Sequence, residues 1–389
     1  MKKVVLAYSG GLDTSCIIPW LKDKGYTTVA FIANLGQPED FKAVGKRALA
    51  SGASKVICLD LQKEFIEDFV FPALKARAVY ENKYYLPCAL SRPIIAKHQV
   101  MIAQKEKAEG LVHGCTGKGN DQVRFETTYR LMNPKLEIIA PVRIWEFKTR
   151  EQEIDYAKEK KIPLNVTKKS TYSIDTNVYG RAIECGVLED PWHEPPEDIF
   201  KLTQDPKKAP NVPGYIEISF AKGLPVRVNG KKYAPVALVK KLNEIGGKHG
   251  VGRVDMIENR LVGIKSREIY ENPAATILHT ALHELECLVL DRETIRAKQA
   301  FSQKYAELTY YGLWFTPLKK QLDAYFHEIH KQTTGTVRLK LFKGSCHVVG
   351  RKSPYSRYNF EKATYGEKDT FNQKLAEGFN HIWAMPYMK

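Results

Sequence analysis

The chain lacks a long hydrophobic run and a closely spaced cysteine pair. Its apolar stretches fall far short of the roughly 20 residues that span a bilayer. Ser9, Gly10 and Gly11 interrupt the apolar start of the chain before the core of a signal peptide could form. The seven cysteines are odd in number, and none forms a Cys-x-x-Cys pair, a pattern typical of reduced thiols. We therefore expect a cytoplasmic protein with no membrane partner.

Acidic residues are also scarce relative to basic ones. The 389 residues include 60 Lys plus Arg and 44 Asp plus Glu, for a net charge of +16. Such a charge suits nucleic acid or small anionic substrates. Because no stretch interleaves aromatic and basic residues as RNA-binding motifs do, we expect no nucleic-acid partner. The positive surface instead favours anionic small molecules.

The first 165 residues alternate between short β-branched runs and longer segments of helical period. The predicted strands are 4–8, 28–33, 55–60, 111–114 and 136–140, and the predicted helices are 15–24, 39–50, 62–79, 92–109 and 150–161. Strict alternation predicts an α/β fold with a doubly wound, mostly parallel sheet. The loops that begin at Ser9, Ala33 and Gly114 each follow a strand, so they should share one edge of the sheet. Pro19 predicts a kink in the first helix or a late start to it.

The pattern changes after residue 165. Hairpins are predicted at 215–228 and 336–349, with helices at 236–245, 274–290 and 297–308, which is α+β usage. Phe371, Leu375, Phe379 and Ile382 lie on one face of a last helix. That face could dock on its own domain or on a neighbouring subunit. We expect three parts: residues 1–165, 166–360 and a C-terminal helix in 361–389.

A glycine-rich loop follows the first strand and opens the first helix. Its sequence from Ser9 to Ser15 reads Ser-Gly-Gly-Leu-Asp-Thr-Ser. Two glycines let the backbone approach a ligand, while hydroxyls and free amides surround a positive helix end. The loop is neither a Walker motif nor a dinucleotide fingerprint. It predicts a phosphate site.

This loop resembles the signature of the N-type ATP pyrophosphatases, which cleave ATP between the α and β phosphates. Longer blocks resemble the argininosuccinate synthase family over nearly the whole chain. They run from residues 7 to 15, 113 to 126, 246 to 253, 258 to 260, 265 to 267 and 269 to 271. Blocks of such length in this order are highly specific.

The resemblance implies an ATP-dependent carbon–nitrogen ligase that condenses citrulline with aspartate in arginine biosynthesis. The ureido oxygen of citrulline would attack the α-phosphorus of ATP and release pyrophosphate. The amine of aspartate would then attack the citrullyl-AMP and release AMP. The resemblance also implies Mg²⁺ shared among the phosphates, with no protein metal ligand, and a homotetramer with the last helix as an inter-subunit arm.

Site residues follow from the same resemblance. The ATP-binding positions are Ala7, Tyr8, Ser9, Gly10, Gly11, Leu12, Asp13, Thr14, Ser15, Ala33 and Gly114. The substrate-binding positions are Tyr84, Ala89, Thr116, Asn120, Asp121, Arg124, Ser173, Ala182, Glu258 and Tyr270. Asp13, Asn120 and Asp121 are expected to be catalytic. Arg124 would grip the carboxylate of citrulline with paired hydrogen bonds, and Glu258 would pair with its ammonium group.

Three positions depart from the family pattern. Ala89 and Ala182 stand where the family usually has hydroxyl side chains that contact citrulline, so binding could be weaker or the acceptor different, and Glu268 stands where a glycine is usual. Two other functions stay open: a tRNA-modifying ATP pyrophosphatase, which the net charge of +16 would suit, and a nucleotide-binding homologue without turnover, which the two alanines would suit. His279 and His283 lie four apart, but residues 280–282 supply no acid for a zinc motif. We interpret them as ordinary helix positions.

Overall fold

The structure is a computed structural model that describes residues 1–163 and 172–389. The predicted domain boundary at 165/166 lies outside the described residues. The strands are β1 Lys2–Ala7, β2 Tyr26–Asn34, β3 Lys55–Asp60, β4 Gly110–Val112, β5 Glu137–Ile139, β6 Ser173–Asn177, β7 Gly180–Glu184, β8 Gly214–Ala221, β9 Leu224–Val228, β10 Lys231–Lys232, β11 Arg253–Asn259, β12 Lys265–Glu271, β13 Gly335–Phe342 and β14 Ser345–Lys352.

Helices alternate with these strands and cluster between residues 273 and 329. They are α1 Leu12–Asp23, α2 Phe41–Ala50, α3 Gln62–Glu64, α4 Phe71–Lys75, α5 Pro87–Glu106, α6 Asp121–Met132, α7 Arg150–Glu159, α8 Pro235–Lys248, α9 Pro273–Val289, α10 Arg292–Tyr310, α11 Pro317–Ile329, α12 Phe360–Ala363 and α13 Leu375–Ala384. A π-helical stretch, Phe65–Val70, joins α3 to α4.

The first five strands form one parallel sheet in the order β3-β2-β1-β4-β5. Successive residues of β1 point to opposite faces: Val4 and Leu6 belong to a core with α1, α2 and α7, and Val5 to a core with α5 and the 62–75 segment. Both faces are therefore covered, and the predicted doubly wound sheet is confirmed. Strand order reverses between β1 and β4, which is where such sheets bind ligands.

Several helix predictions were wrong in their bounds: α5 begins at Pro87 instead of 92, and α10 spans Arg292–Tyr310 instead of 297–308. A late start of α1 does not occur, since the helix begins at Leu12 and runs through the buried Pro19. The helix expected over 62–79 ends at Lys75. The reason is local: Arg77 has a φ of 47°, in the left-handed region that terminates a helix.

The rest of the chain builds two antiparallel sheets. One has the order β10-β9-β8-β13-β14 and packs against α9, and the other has the order β11-β12-β7-β6. Both predicted hairpins lie in the first of these sheets. The second sheet was not predicted, and it supplies β6, which lies against the end of α5 and faces the parallel sheet's ligand-binding edge. Within the described residues, no helix is long and apolar enough to cross a membrane.

Candidate active site

A cavity of about 440 Å³ lies at the carboxyl ends of β1, β2 and β4. Tyr8, Ala33 and Gly114 line it from these three strand ends, so the loops predicted to share one edge do so. Helices α5 and α6 contribute side chains to one wall, and β6 closes the opposite side. The cavity thus joins the nucleotide-binding edge of the parallel sheet to the second part of the chain.

The glycine-rich loop forms one end of this cavity. Its hydroxyls bond to one another, with Ser9 Oγ 3.0 Å from Thr14 Oγ1 and Tyr8 Oη 2.9 Å from Ser15 Oγ. Gly11 caps α1 without a side-chain hydrogen bond, so the first amides of the helix have no protein side-chain partner at the cap. Free amides at a positive helix end suit the oxygens of a phosphate group.

Gly10 is the position in the loop that tolerates no side chain. Its φ is +80°, and an added Cβ would lie 2.9 Å from Val44 Cγ1. The Gly10 carbonyl also accepts a 2.6 Å hydrogen bond from Arg47 Nη1. A side chain here would push the loop away from α2 and change the direction of its amides.

Gly10→Ala should weaken ATP binding by roughly tenfold or more, because misdirected amides lose charge-assisted hydrogen bonds of about 1.5–3 kcal/mol each. Isothermal titration calorimetry with ATP measures the loss. Gly25→Ala is a matched control, since Gly25 has a φ of +85° but nothing within 4 Å of its added Cβ. The control should retain ATP affinity, and equal losses in both variants would contradict the role of the loop.

Two carboxyl groups meet beside the loop. Asp13 lies in the first turn of α1 and hydrogen-bonds to Glu153 of α7. Burial, followed by the charge of Asp13, raises the pKa of Glu153 to about 8. At neutral pH the Glu153 carboxyl group is therefore mostly protonated, and a nearby cation would favour its ionised form.

Asp121 forms the far end of the cavity, held between two arginines. Arg92 donates to Asp121 Oδ2 from Nε at 2.9 Å, and Arg124 donates to Oδ1 from Nη1 at 2.8 Å. Although burial alone would raise it, the two guanidinium groups lower the pKa of Asp121 to about 2. Asp121 is thus an ionised acceptor and a poor base at neutral pH.

A buried hydrogen-bonded network continues from Arg124 to the predicted citrulline positions. Both oxygens of Glu258 are occupied, since Tyr270 and Tyr310 donate to them at 2.9 Å. Asn120 in turn donates to Tyr310 Oη at 2.7 Å, and the Arg124 guanidinium lies 4.8 Å from the Tyr310 ring centre. Burial raises the pKa of Glu258. These side chains satisfy one another, so a bound amino acid would have to exchange with their mutual contacts.

The predicted residues divide into two groups by position. Those that line the cavity are Ala7, Tyr8, Ser9, Thr14, Ala33, Gly114, Thr116, Asp121 and Ser173. Those that lie outside its lining are Gly10, Gly11, Leu12, Asp13, Ser15, Tyr84, Ala89, Asn120, Arg124, Ala182, Glu258 and Tyr270. Contacts link most of the second group to the first, as Arg124 does to Asp121.

Three residues of the site were missed from the sequence. Tyr310 connects Asn120, Arg124 and Glu258 although it lies at the end of α10, outside every motif block. Arg92 bridges Asp121 and Asp175, donating to the latter at 2.5 Å. The Ser-Arg-Pro step around Arg92 was visible in the sequence, but its partner Asp175 lies on a strand that had not been predicted.

Comparison with known proteins identifies the family. The protein-family model "Arginosuccinate synthase N-terminal HUP domain" matches residues 3–163. A second family model, "Arginosuccinate synthase C-terminal domain", matches residues 172–389. Argininosuccinate synthase from Caldanaerobacter subterraneus is 55% identical over 385 residues, 99% of this chain and 94% of that protein. The enzyme from Carboxydothermus hydrogenoformans is 55% identical over 386 residues, 99% and 96% of the two chains. The chain belongs to the argininosuccinate synthase family.

The resemblance stated from the sequence is therefore confirmed, and with it the class of ATP-dependent ligase. Among solved structures, the predicted subunit of a tRNA methyltransferase from Methanocaldococcus jannaschii is 18% identical, covering 41% of this chain and 75% of that one. Its TM-score of 0.28 is too low to bear on fold or function.

Ala89 and Ala182, the two alanines that replace hydroxyl side chains of the family, have different surroundings. The backbone amide of Ala89 donates to Tyr84 Oη at 3.2 Å, so its backbone is already engaged. Tyr84 in turn stacks on Tyr270 at 4.4 Å between ring centres. Ala182 lies in β7 between its partners Asp175 and Tyr270. Both alanines therefore adjoin the network around Glu258.

Proposed function

We propose that the chain catalyses the reaction of its family, the condensation of citrulline with aspartate driven by cleavage of ATP to AMP and pyrophosphate. One observation carries the assignment of roles: a single cavity has the phosphate loop at one end and Asp121 at the other. Pyrophosphate leaves the α-phosphorus on the side of the loop, so the ureido oxygen of citrulline must approach from the opposite side, toward Asp121, as an in-line displacement requires.

The first step depends on the loop. The amides and hydroxyls from Ser9 to Ser15 bind the β and γ phosphates, and the backbone at Ala33 and Gly114 supports the rest of ATP. Held in line with the α-phosphorus, the ureido oxygen of citrulline forms a bond to phosphorus as pyrophosphate departs. Preorganised donors stabilise the charge that grows on the leaving group.

Mg²⁺ would be shared among the phosphates of ATP at the loop end of the cavity. Asp13 and Glu153 lie outside the lining of the cavity, where a pair of carboxyl groups favours a nearby cation. When bound, the ion would neutralise charge on the phosphates. Asp13, which we place among the catalytic residues, would orient the loop toward it.

The second step depends on the far end. Asp121 stays ionised and accepts hydrogen bonds from the amine of aspartate, with Thr116 and Asn120 beside it. Arg124 grips the carboxylate of citrulline and Glu258 its ammonium group, while Tyr84, Ser173 and Tyr270 enclose it. Ala89 and Ala182 border citrulline without offering it a hydroxyl group. The amine forms its bond to the ureido carbon, and AMP leaves with the former ureido oxygen.

The test uses the purified protein with ATP, Mg²⁺, citrulline and aspartate, following pyrophosphate and AMP. Pyrophosphate release should require citrulline, and AMP release should also require aspartate. Release of pyrophosphate without citrulline would overturn the proposal. Release that required tRNA would favour a tRNA-modifying enzyme, and ATP binding without turnover would favour a non-catalytic homologue.

We also propose the division into residues 1–165, 166–360 and 361–389, in a cytoplasmic homotetramer with no nucleic-acid or membrane partner. The exposed apolar face of the last helix, α13, is the observation that supports a homotetramer. No residue of α13 is buried, and Phe379 and Ile382 are 60% and 68% exposed. Apolar faces of this kind typically mark protein interfaces, so α13 is the arm that docks on a neighbouring subunit.

Phe379→Asp should therefore dissociate the tetramer, because a carboxylate in an apolar interface loses its hydration without a partner. Light scattering coupled to size-exclusion chromatography gives the mass in solution. Asn380→Asp adds the same charge to the adjacent position and should leave the mass unchanged. A tetramer that survives Phe379→Asp would refute the docking of this face.

A further inference from the structure

A second cleft lies on the side of the molecule formed by α9 and α10. Its volume is about 650 Å³, within the range of small-molecule sites. The lining residues come from α9, α10 and the segment before α5, and share none with the first cavity. We call it the α9–α10 cleft. No step of the proposed reaction uses it.

The charges of this cleft do not balance. Arg77 and Lys298 are both cationic, and the one buried carboxylate near them in the part of the chain that the structure describes is Glu286, 3.7 Å from Arg77 Nη1 and 3.3 Å from Lys298 Nζ. Glu284 at the rim is already held by Arg351 at 2.6 Å. One carboxylate thus faces two cations, and a buried charge without a counter-ion is costly.

The hydrogen bonding of Lys298 is also incomplete. The residue is 3% exposed, and an ammonium group carries three donors. Its two polar contacts within the described residues are both long, 3.5 Å from Nζ to Ser302 Oγ and 3.3 Å from Nζ to Glu286 Oε1. A strongly hydrated ammonium group is thus left with spare donors beside a cleft.

We propose that the α9–α10 cleft is a second ligand site, which binds a small organic or inorganic anion carrying a carboxylate or phosphate group. Lys298 and Arg77 would supply the charge. Neutral donors on the walls would complete the recognition: Asn82, Thr280, Gln299, Ser302 and Gln303. An anion here offsets the surplus positive charge and accepts the unused hydrogen bonds of Lys298.

Binding should be linked to proton uptake. Burial lowers the pKa of Lys298 to about 8, partly offset by Glu286, while Arg77 lowers it further. An anion favours the charged amine and raises that pKa, so the complex takes up a proton when it forms near pH 8. The other titratable groups around the site are Glu284 at the rim, three histidines whose pKa values burial lowers, and two groups whose pKa values burial raises. The histidines are His279, His283 and His330, and the two groups are Tyr85 and Glu286.

The experiment is isothermal titration calorimetry of the full chain near pH 8, with inorganic phosphate in one arm and succinate in the other. The titration is repeated in two buffers of different ionisation enthalpy, and a difference between the two measured binding enthalpies reveals proton uptake. The phosphate loop also binds anions, so the site is defined by the difference between the wild type and Lys298→Met. This variant should lose roughly tenfold or more in affinity for one anion per chain, together with the proton uptake.

Lys304→Met is the matched control. It removes the same charge from an exposed position of α10 that is paired with Glu307, and it should bind as the wild type does. If Lys298→Met fails to fold, Ser302→Asp decides, because it places a carboxylate beside Lys298 and should abolish uptake of external anion. Proton uptake and stoichiometry that match the wild type in either folded variant would overturn the proposal, as would no binding of either anion up to about 10 mM.

Discussion

Asp121→Asn should abolish formation of argininosuccinate by about 10²–10³-fold or more while leaving the adenylation of citrulline in place. The variant keeps the shape of the side chain but removes the charge that Arg92 and Arg124 compensate. The amine of aspartate then loses its ionised acceptor. The phosphates of ATP bind at the other end of the cavity, so pyrophosphate should still appear as a single burst, one per site.

Rapid-quench measurement of pyrophosphate and AMP separates the two steps. The burst of pyrophosphate should persist and steady release of AMP should vanish. Asp155→Asn is a suitable control, because Asp155 is 75% exposed and paired only with Lys158 on the same helix. A variant at Asp121 with unchanged product formation would refute its assignment, and loss of ATP binding would show that Asp121 acts on the first step as well.

The parts of the site that the sequence predicted are local in the chain. The loop from Ser9 to Ser15 is built by consecutive residues after one strand. Its glycines and hydroxyl side chains predict a tight turn that can bind phosphate. The parallel sheet was predictable for a similar reason, since the centres of β1 and β2 are buried apolar runs. Even so, α1 begins at Leu12 and continues through Pro19, in a helix that packs against β2 and α7.

The parts that could not be predicted depend on contacts between distant segments. Tyr310 reaches Asn120 across 190 residues of sequence, and nothing in the residues around it marks it as polar and functional. Strand β6 reads Ser-Ile-Asp-Thr-Asn, a polar stretch that resembles a loop until the cavity on one side and β7 on the other are known. Because β6 was not predicted, the ion pair between Arg92 and Asp175 was not predicted either.

Arg92→Met should destabilise the fold by about 3 kcal/mol, the scale of breaking a buried ion pair from one side. The Arg92 side chain is 17% exposed and contacts two carboxylates, Asp121 at 2.8 Å and Asp175 at 2.5 Å. Its removal leaves these two negative groups facing each other. Because Asp175 lies on β6, the bridge also ties α5 of the first part of the chain to the second.

The pH dependence distinguishes this effect from simple loss of packing. Asp121 has its pKa lowered from 3.8 to about 2, so its contribution to stability is present above pH 4 and is lost as the pH falls toward 2. The difference in the free energy of unfolding between the wild type and Arg92→Met should therefore shrink as the pH falls through that range. Calorimetric unfolding temperatures of the two proteins should converge between about pH 4 and pH 2.

Lys97→Met on the same helix breaks a half-exposed pair with Glu64 and should cost at most about 1 kcal/mol. A gap between wild type and Arg92→Met that stayed constant with pH would mean that Arg92 acts through packing, not through charge on Asp121.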